Sequence, residues 1–230
     1  MLVFSILVKL GFWQLERAKE KQQLQQALEA RQASAPIGYP ELLTLSPEAG
    51  LTGYRLKVEV DPSHQPLILL DNQIYQGKVG YLAYQIMQVT PDMPLLLVEL
   101  GFMPGPIDRR QLPQPPGIKQ ALSLDGRLYR KSTNPMSEHL LPENGNPMRV
   151  QNLNFDELEQ RLNIKLAPAV LQPTQLPGSE LPHPWQPIPL TSEKHLGYAV
   201  QWFSMAGAFA ILIFYILIFK RKKPNKPKEK

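Results

Sequence analysis

Histidine is the side chain of this sequence with the clearest chemical potential, because there is no cysteine to act as a thiolate nucleophile, disulfide partner or metal ligand. The histidines form no HExxH motif, and no two of them have the i, i+4 spacing of a helical metal site. No GxSxG elbow is present, so a hydrolase has no nucleophile to use. A membrane-tethered enzyme is therefore the least supported class. The four histidines are His64, His139, His183 and His195.

His195 differs from the other three because it directly precedes a long apolar segment. In a helix, the positions i, i+4, i+7 and i+11 share one face. Counted from His195, they combine an imidazole and a large aromatic ring with small side chains, which predicts a groove for a flat aromatic ligand. A neutral imidazole is a common axial ligand of haem iron. The residues of this face are His195, Ala199, Trp202 and Ala206, with Tyr198 beside them.

A simpler interpretation of the same residues is available. Tyr198 and Trp202 could anchor the helix where lipid headgroups meet water, while His195 caps or solvates the helix end. Aromatic belts are common at such depths, so on chemistry alone this second interpretation is favoured.

The apolar segment after His195 predicts a membrane span. Residues 197–219 contain no charge, and at about 1.5 Å per residue they cross a hydrocarbon core of about 30 Å. Residues 220–230 then hold seven basic residues and one acidic residue, which favours a cytoplasmic C-terminus. The formal net charge of the chain is +5, so the body before this tail is close to neutral. The basic tail therefore indicates the orientation of the chain in the membrane and a contact with membrane lipids. Because the rest of the chain is close to neutral, the net charge does not indicate a nucleic-acid partner.

The N-terminal end carries a shorter apolar run, residues 1–8, followed by Lys9 and by Trp13. The run is too short to span a membrane and lacks the basic start and cleavage site of a signal peptide. It is either a short interfacial anchor or, as we favour, the end of a first transmembrane helix whose earlier turns lie upstream. Residues 14–32 contain strong helix formers without Pro or Gly, which predicts a polar helix continuing out of the membrane and ending before Pro36.

The middle of the chain predicts an α+β domain, rich in strands and placed between the two membrane segments. Residues 53–60 alternate apolar and charged side chains, as in a half-buried strand, and residues 94–102 contain a continuous apolar run that suits a central strand. Residues 155–162 form a helix capped by Asn154. Asp71-Asn72 is interpreted as a turn, and Asp108-Arg109 as solvated loop charge. Further strands are predicted at 65–70, 77–89, 121–130, 149–153 and 169–171.

Four segments, in order along nearly the whole chain, resemble the signatures of the Surfeit locus protein 1 family. Residues 10–17, LGFWQLER, resemble the LGxWQxxR signature at the exit of the first helix, and residues 195–203, HLGYAVQWF, resemble the HLxYAxQWF segment that begins the second. Residues 71–81 match a DN pair followed by a GxxGY turn. Residues 98–104 lie where members usually show an NRGWVP-like stretch. This last segment departs from the pattern, with Glu99 for Asn, Leu100 for Arg and Phe102 for Trp.

The resemblance implies a two-helix protein of a bacterial inner membrane, with its main domain facing the periplasm, that assists assembly of a haem–copper terminal oxidase. It implies binding of haem a and delivery to the catalytic subunit. His195 matches the proposed haem ligand, and Tyr198 and Trp202 match neighbouring pocket positions. The alternative is a cofactor-free scaffold that stabilises an oxidase intermediate. The domains expected are a partial first span (1–13), a periplasmic α+β domain (14–194), a second span (195–219) and a basic cytoplasmic tail (220–230).

Overall fold

The computed structural model describes residues 2–46, 50–130, 138–184, 186–188 and 190–221. The chain divides into two compact units. One contains the two ends of the chain, up to Ala27 and from Ile188, and the other contains Leu28–Pro187.

The larger unit is a β-rich domain built around a closed barrel. Its seven-stranded sheet has the order β1-β5-β7-β4-β3-β2-β6, and an additional β1–β3 pairing closes the first five strands into a ring. Neighbouring strands are antiparallel except for the β4–β7 and β2–β6 pairs. The β-rich character predicted from the sequence is confirmed, while the closure was not predicted. The strands are β1 (Arg55–Pro62), β2 (Ile68–Tyr75), β3 (Lys78–Gln88), β4 (Leu95–Pro104), β5 (Leu122–Tyr129), β6 (Met148–Val150) and β7 (Leu166–Pro173).

Burial along the strands follows the sequence pattern. In β1 the apolar residues Leu56, Val58 and Val60 are buried and the charged residues between them are exposed, which confirms the half-buried strand. In β4 seven consecutive residues from Leu96 are buried, because this strand lies between β3 and β7 and packs on both faces. Its successive side chains enter two separate hydrophobic clusters, one on each side of the sheet.

Two interpretations of charged segments were wrong. Asp71 and Asn72 lie inside β2, where the register to β3 shifts between Leu70 and Gln73 and Asn72 takes a φ of 56°. This is a β-bulge, which requires the same tolerance of positive φ that makes asparagine common in turns. Arg109 is not a solvated loop charge, because its guanidinium pairs with the buried Asp71 carboxylate.

Two short helices complete this unit, α2 (Tyr39–Thr44) and α3 (Phe155–Leu162). The α3 bounds agree with the prediction. The Asn154 side chain accepts a hydrogen bond of 3.1 Å from the Glu157 backbone N–H, and Asn163 ends the helix in the left-handed conformation.

The smaller unit is formed by α4 (Ser192–Arg221) and most of α1 (Leu2–Ala33). The predicted polar helix over 14–32 is confirmed as the later part of α1. Among the described residues, one helix segment, Ser192–Phe219, is long and apolar enough to cross a membrane. The expected first span therefore stays a prediction.

Candidate functional site

The two helices of the smaller unit meet through the residues of the first and last signature segments. The Phe12 and Phe203 rings pack edge to face with centroids 5.3 Å apart. Gly11 is buried beneath the same ring, and a Cβ at this position would lie 2.7 Å from Phe203 Cε1. A side chain at position 11 would therefore force the Phe203 ring to move. One turn of α1 further on, Gln14 Oε1 lies 2.7 Å from His195 Nδ1.

The shared helical face predicted from the sequence is confirmed. His195, Ala199 and Ala206 are buried, with 7%, 1% and 3% of their surface exposed. The expectation that the alanines leave an open groove was wrong, because the contacts of His195 and Phe203 show that α1 packs along this face.

The contact with Gln14 favours a proton on the Nδ1 nitrogen of His195. An amide oxygen can only accept a hydrogen bond, so Nδ1–H is the donor. In a neutral imidazole the proton on Nδ1 leaves Nε2 with a free lone pair, which is the form that binds a metal. A histidine ligand with its second nitrogen fixed by a carbonyl acceptor is the usual arrangement at metal sites. The residues present therefore fit an axial ligand to haem iron.

The other two predicted site residues are four positions apart on α4 and share one of its sides, but they differ in exposure. Tyr198 is 43% exposed, and Trp202 is partly buried. The Tyr198 ring is thus exposed one turn from His195, and Trp202 is more covered one turn further along the helix. Among the described residues, no group of three or more His, Cys, Asp or Glu side chains is placed to hold a metal ion.

A second polar cluster lies inside the barrel domain, around Glu99 of β4. This carboxylate is completely buried. Gln172 Nε2 donates to its Oε1 over 2.9 Å, His183 Nδ1 lies 2.7 Å from the same oxygen, and the Tyr129 hydroxyl donates to Oε2. The Tyr84 hydroxyl lies 3.1 Å from that of Tyr129. Burial raises the pKa of both tyrosines well above the ordinary value, so both remain protonated donors.

Two further residues of the substituted signature segment lie in the hydrophobic core. Leu100 and Phe102 are both buried, and they enter the two hydrophobic clusters on opposite sides of the sheet. The two positions that depart from the expected signature are thus filled by apolar core residues. One signal of the cluster was visible in the sequence, a single glutamate inside an otherwise apolar strand. Such a residue must find buried partners if it is to lie in a core.

The chain beyond β7 returns along β4 and brings His183 to Glu99. The Phe102 backbone N–H donates to the Pro182 carbonyl over 2.7 Å. Gly101, with a φ of 119°, is covered by Leu181, and a Cβ at position 101 would lie 2.5 Å from the Leu181 Cβ. Gly101 thus allows both the left-handed backbone and the close approach of this returning segment.

A β-barrel domain combined with an apolar helix of membrane-spanning length indicates a membrane-associated protein. The chain belongs to the SURF1 family (Surfeit locus protein 1), whose model matches residues 1–207. This family is known generally for oxidase assembly factors and is not a catalytic family. A comparison with curated proteins found no match.

Proposed function

We propose that this protein binds haem a through His195 and passes it to the catalytic subunit of a haem–copper oxidase during assembly. The observation that supports this most is the hydrogen bond between Gln14 and His195, which leaves the Nε2 lone pair for a ligand. When bound, haem supplies an iron atom that takes a nitrogen ligand in its axial position. Tyr198, exposed one turn away, offers an aromatic ring beside the imidazole. Trp202 is proposed to line the same side.

The location proposed is a bacterial inner membrane, crossed by α4 and entered by the apolar start of α1. The basic residues after Phe219 hold the C-terminus in the cytoplasm, and the barrel domain faces the periplasm. His195 then lies at the outer boundary of the bilayer, because it precedes the apolar segment at the opposite end from the basic tail. Reporter fusions to the C-terminus test this orientation, and a periplasmic reporter signal would contradict it.

The haem proposal is tested by purifying the full chain from cells that make haem a and recording its absorption spectrum. Wild type is expected to carry haem, and His195→Ala is expected to lose it. His64→Ala is the matched control, because His64 is an exposed histidine of the barrel domain. A wild-type protein without haem, or a His195→Ala variant that retains it, would contradict the proposal.

A cofactor-free scaffold is the second candidate, and the burial of His195 favours it. A histidine with 7% exposure, already bonded to Gln14, can serve the packing of the two helices alone. In this function the helices hold an immature oxidase subunit. A colourless wild type whose deletion still abolishes oxidase assembly would support the scaffold.

A further inference from the structure

The hairpin formed by β2 and β3 has an apolar side that is left uncovered. Ile74 and Val79 lie directly opposite each other in this hairpin, so their side chains point to the same side of the sheet. On β3, Val79 continues the side that holds Tyr81 and Ala83, which are completely buried in the core. Val79 is nevertheless 50% exposed, and Ile74 is 70% exposed. The hairpin thus extends its core-facing side past the end of the hydrophobic core.

The segment that follows β4 adds a third aliphatic side chain at the same place. The Gly105 backbone N–H donates to the Val79 carbonyl over 3.0 Å, so this segment lies beside the hairpin. Ile107, two residues further on, is fully exposed. Single exposed aliphatic residues are common, but a cluster of them marks an interaction surface. Residues 74–79 and 104–111 are called the apolar tip below.

The apolar tip is held in a fixed shape by its own contacts. The turn between β2 and β3 contains two residues with positive φ, Gln76 at 48° and Gly77 at 75°, as in the tightest hairpin turns. Arg109 braces the second segment, because its guanidinium pairs with Asp71 and lies 4.7 Å from the centroid of the Tyr81 ring. A surface that is ordered before binding loses less entropy when a partner covers it.

The charge of the apolar tip indicates the chemistry of its partner. The tip contains three basic residues and one acidic residue. Lys78 is exposed in the turn, and Arg110 is exposed although it pairs with Asp108. Surfaces that associate carry complementary charges, so carboxylates are expected around the apolar contact on the partner. A second copy of the chain would instead bring the same excess of basic groups to the contact.

The apolar tip lies at the far end of the strands from the point where the chain enters this unit. The last turn of α1 contacts the residues before β1, since Arg31 Nη1 donates to the Thr52 carbonyl over 2.8 Å. From there β1 runs away from the contact, and its last residues pair antiparallel with the last residues of β3. Following β3 backwards from this pairing to Lys78 therefore continues in the same direction. This position favours a protein over bilayer lipid as the occupant.

We infer that the apolar tip docks onto the extramembrane surface of the oxidase catalytic subunit, at an apolar recess bordered by carboxylates. This docking rests on the proposed function, because both of its candidate forms engage an oxidase subunit. Ile74, Val79 and Ile107 enter the recess, and Lys78 pairs with a carboxylate at its rim. An apolar centre with a charged rim is the usual arrangement of protein interfaces.

The test uses the absence of cysteine from the chain, which allows one fluorophore to be attached at a chosen position. The full chain is labelled through Gln111→Cys, an exposed position of the apolar tip, and placed in nanodiscs. The purified oxidase catalytic subunit is then titrated while quenching of the label by iodide is recorded. The subunit is expected to protect this label saturably. A label attached through Asp92→Cys, in the exposed connection between β3 and β4, should stay quenched.

Substitutions in the labelled chain test which side chains carry the contact. Ile74→Ser and Ile107→Ser are each expected to weaken binding about tenfold, as truncations near the centre of an interface do. Lys78→Glu should weaken it as well, and more strongly at low salt than at high salt. Met93→Ser is the matched control, because Met93 is also an exposed apolar residue but lies between β3 and β4. All four side chains are exposed, so the variants keep the fold.

The remaining outcomes separate the other occupants and the proposed function. Protection of the label by empty nanodiscs of phosphatidylglycerol or phosphatidylcholine identifies a lipid surface, and protection that rises with the concentration of the chain itself identifies a second copy. Either result overturns the inference, as does wild-type affinity in all three tip variants. A subunit that co-purifies with the chain while the label stays quenched overturns the docking site and leaves the proposed function intact. A subunit that associates with no part of the chain refutes both.

Discussion

Replacing Gln14 with leucine tests the hydrogen bond on which the proposed ligand role of His195 depends. Leucine has a similar volume but no acceptor, so the Nδ1–H of a ring that is 7% exposed loses its partner. Leaving a buried donor unpaired costs about 1–3 kcal/mol. The ring can avoid this cost by moving its proton to Nε2, but that nitrogen then has no lone pair for iron.

The expected loss of haem affinity in Gln14→Leu is about 10- to 100-fold, the usual effect of removing the partner of a metal-binding histidine. This corresponds to about 1.4–2.7 kcal/mol, which agrees with the cost of the unpaired donor. Gln14→Glu keeps an acceptor oxygen and is expected to retain binding. Gln22→Leu is the control, because Gln22 is an exposed glutamine of the same helix.

Two measurements make this prediction independent of the haem proposal. Nitrogen-15 NMR of the apoprotein reports which nitrogen of His195 is protonated, and haem titration by absorption reports affinity. Wild type and Gln14→Glu should show the proton on Nδ1, and Gln14→Leu should show it displaced. A leucine variant with the wild-type tautomer and the wild-type affinity would refute the reasoning. A wild type with the expected tautomer but no haem would refute only the haem proposal.

Three further predictions concern the barrel domain. Glu99→Leu removes the acceptor of two buried donors, Gln172 and Tyr129, and of the partly exposed His183. It should lower the free energy of unfolding by about 3 kcal/mol or more in urea titrations, whereas the exposed Glu59→Leu should change it little. Gly101→Ala should destabilise the fold more than Gly178→Ala, because both have positive φ but only position 101 has a neighbour within reach, so equal midpoints would contradict the packing argument. The Glu157 pKa is lowered from 4.5, first by the Leu140 N–H and then by His139, so its stabilising contribution is present at neutral pH and disappears as the pH falls below 4.5. The stability of Glu157→Gln should therefore lie below wild type at pH 7 and converge with it in acid.

Local patterns predicted the elements whose signals lie close together in sequence. The α3 helix was found because Asn154 and Glu157 form its cap within four residues. The strand β1 was found from its alternation, which records one buried face. The bulge at Asn72 was mistaken for a turn because the residue preference of both reflects the same backbone conformation. Closure of the barrel depends on the pairing of β1 with β3, in which Asp61 lies opposite Gln88. No local sequence pattern predicts this pairing, because the two strands are separated along the chain.

The candidate site also contains features that local sequence patterns predict and features that they do not. The buried face of α4 followed from helical periodicity, so His195 and its neighbours could be placed before the structure was known. Its partner Gln14 lies 181 positions earlier, and periodicity carries no information over that separation. The Glu99 cluster joins residues up to 84 positions apart, and only the unusual polarity of Glu99 marked it.

The separation of Gln14 and His195 has a consequence for biosynthesis. At about 5–20 residues per second, ribosomes deliver the imidazole roughly 9–36 s after its glutamine, once the entire barrel has been translated. A nascent or prematurely terminated polypeptide therefore exposes an unpaired α1 and cannot assemble the imidazole–amide pair. Completion of the polypeptide itself thus acts as a checkpoint before any cargo can be held at that pair.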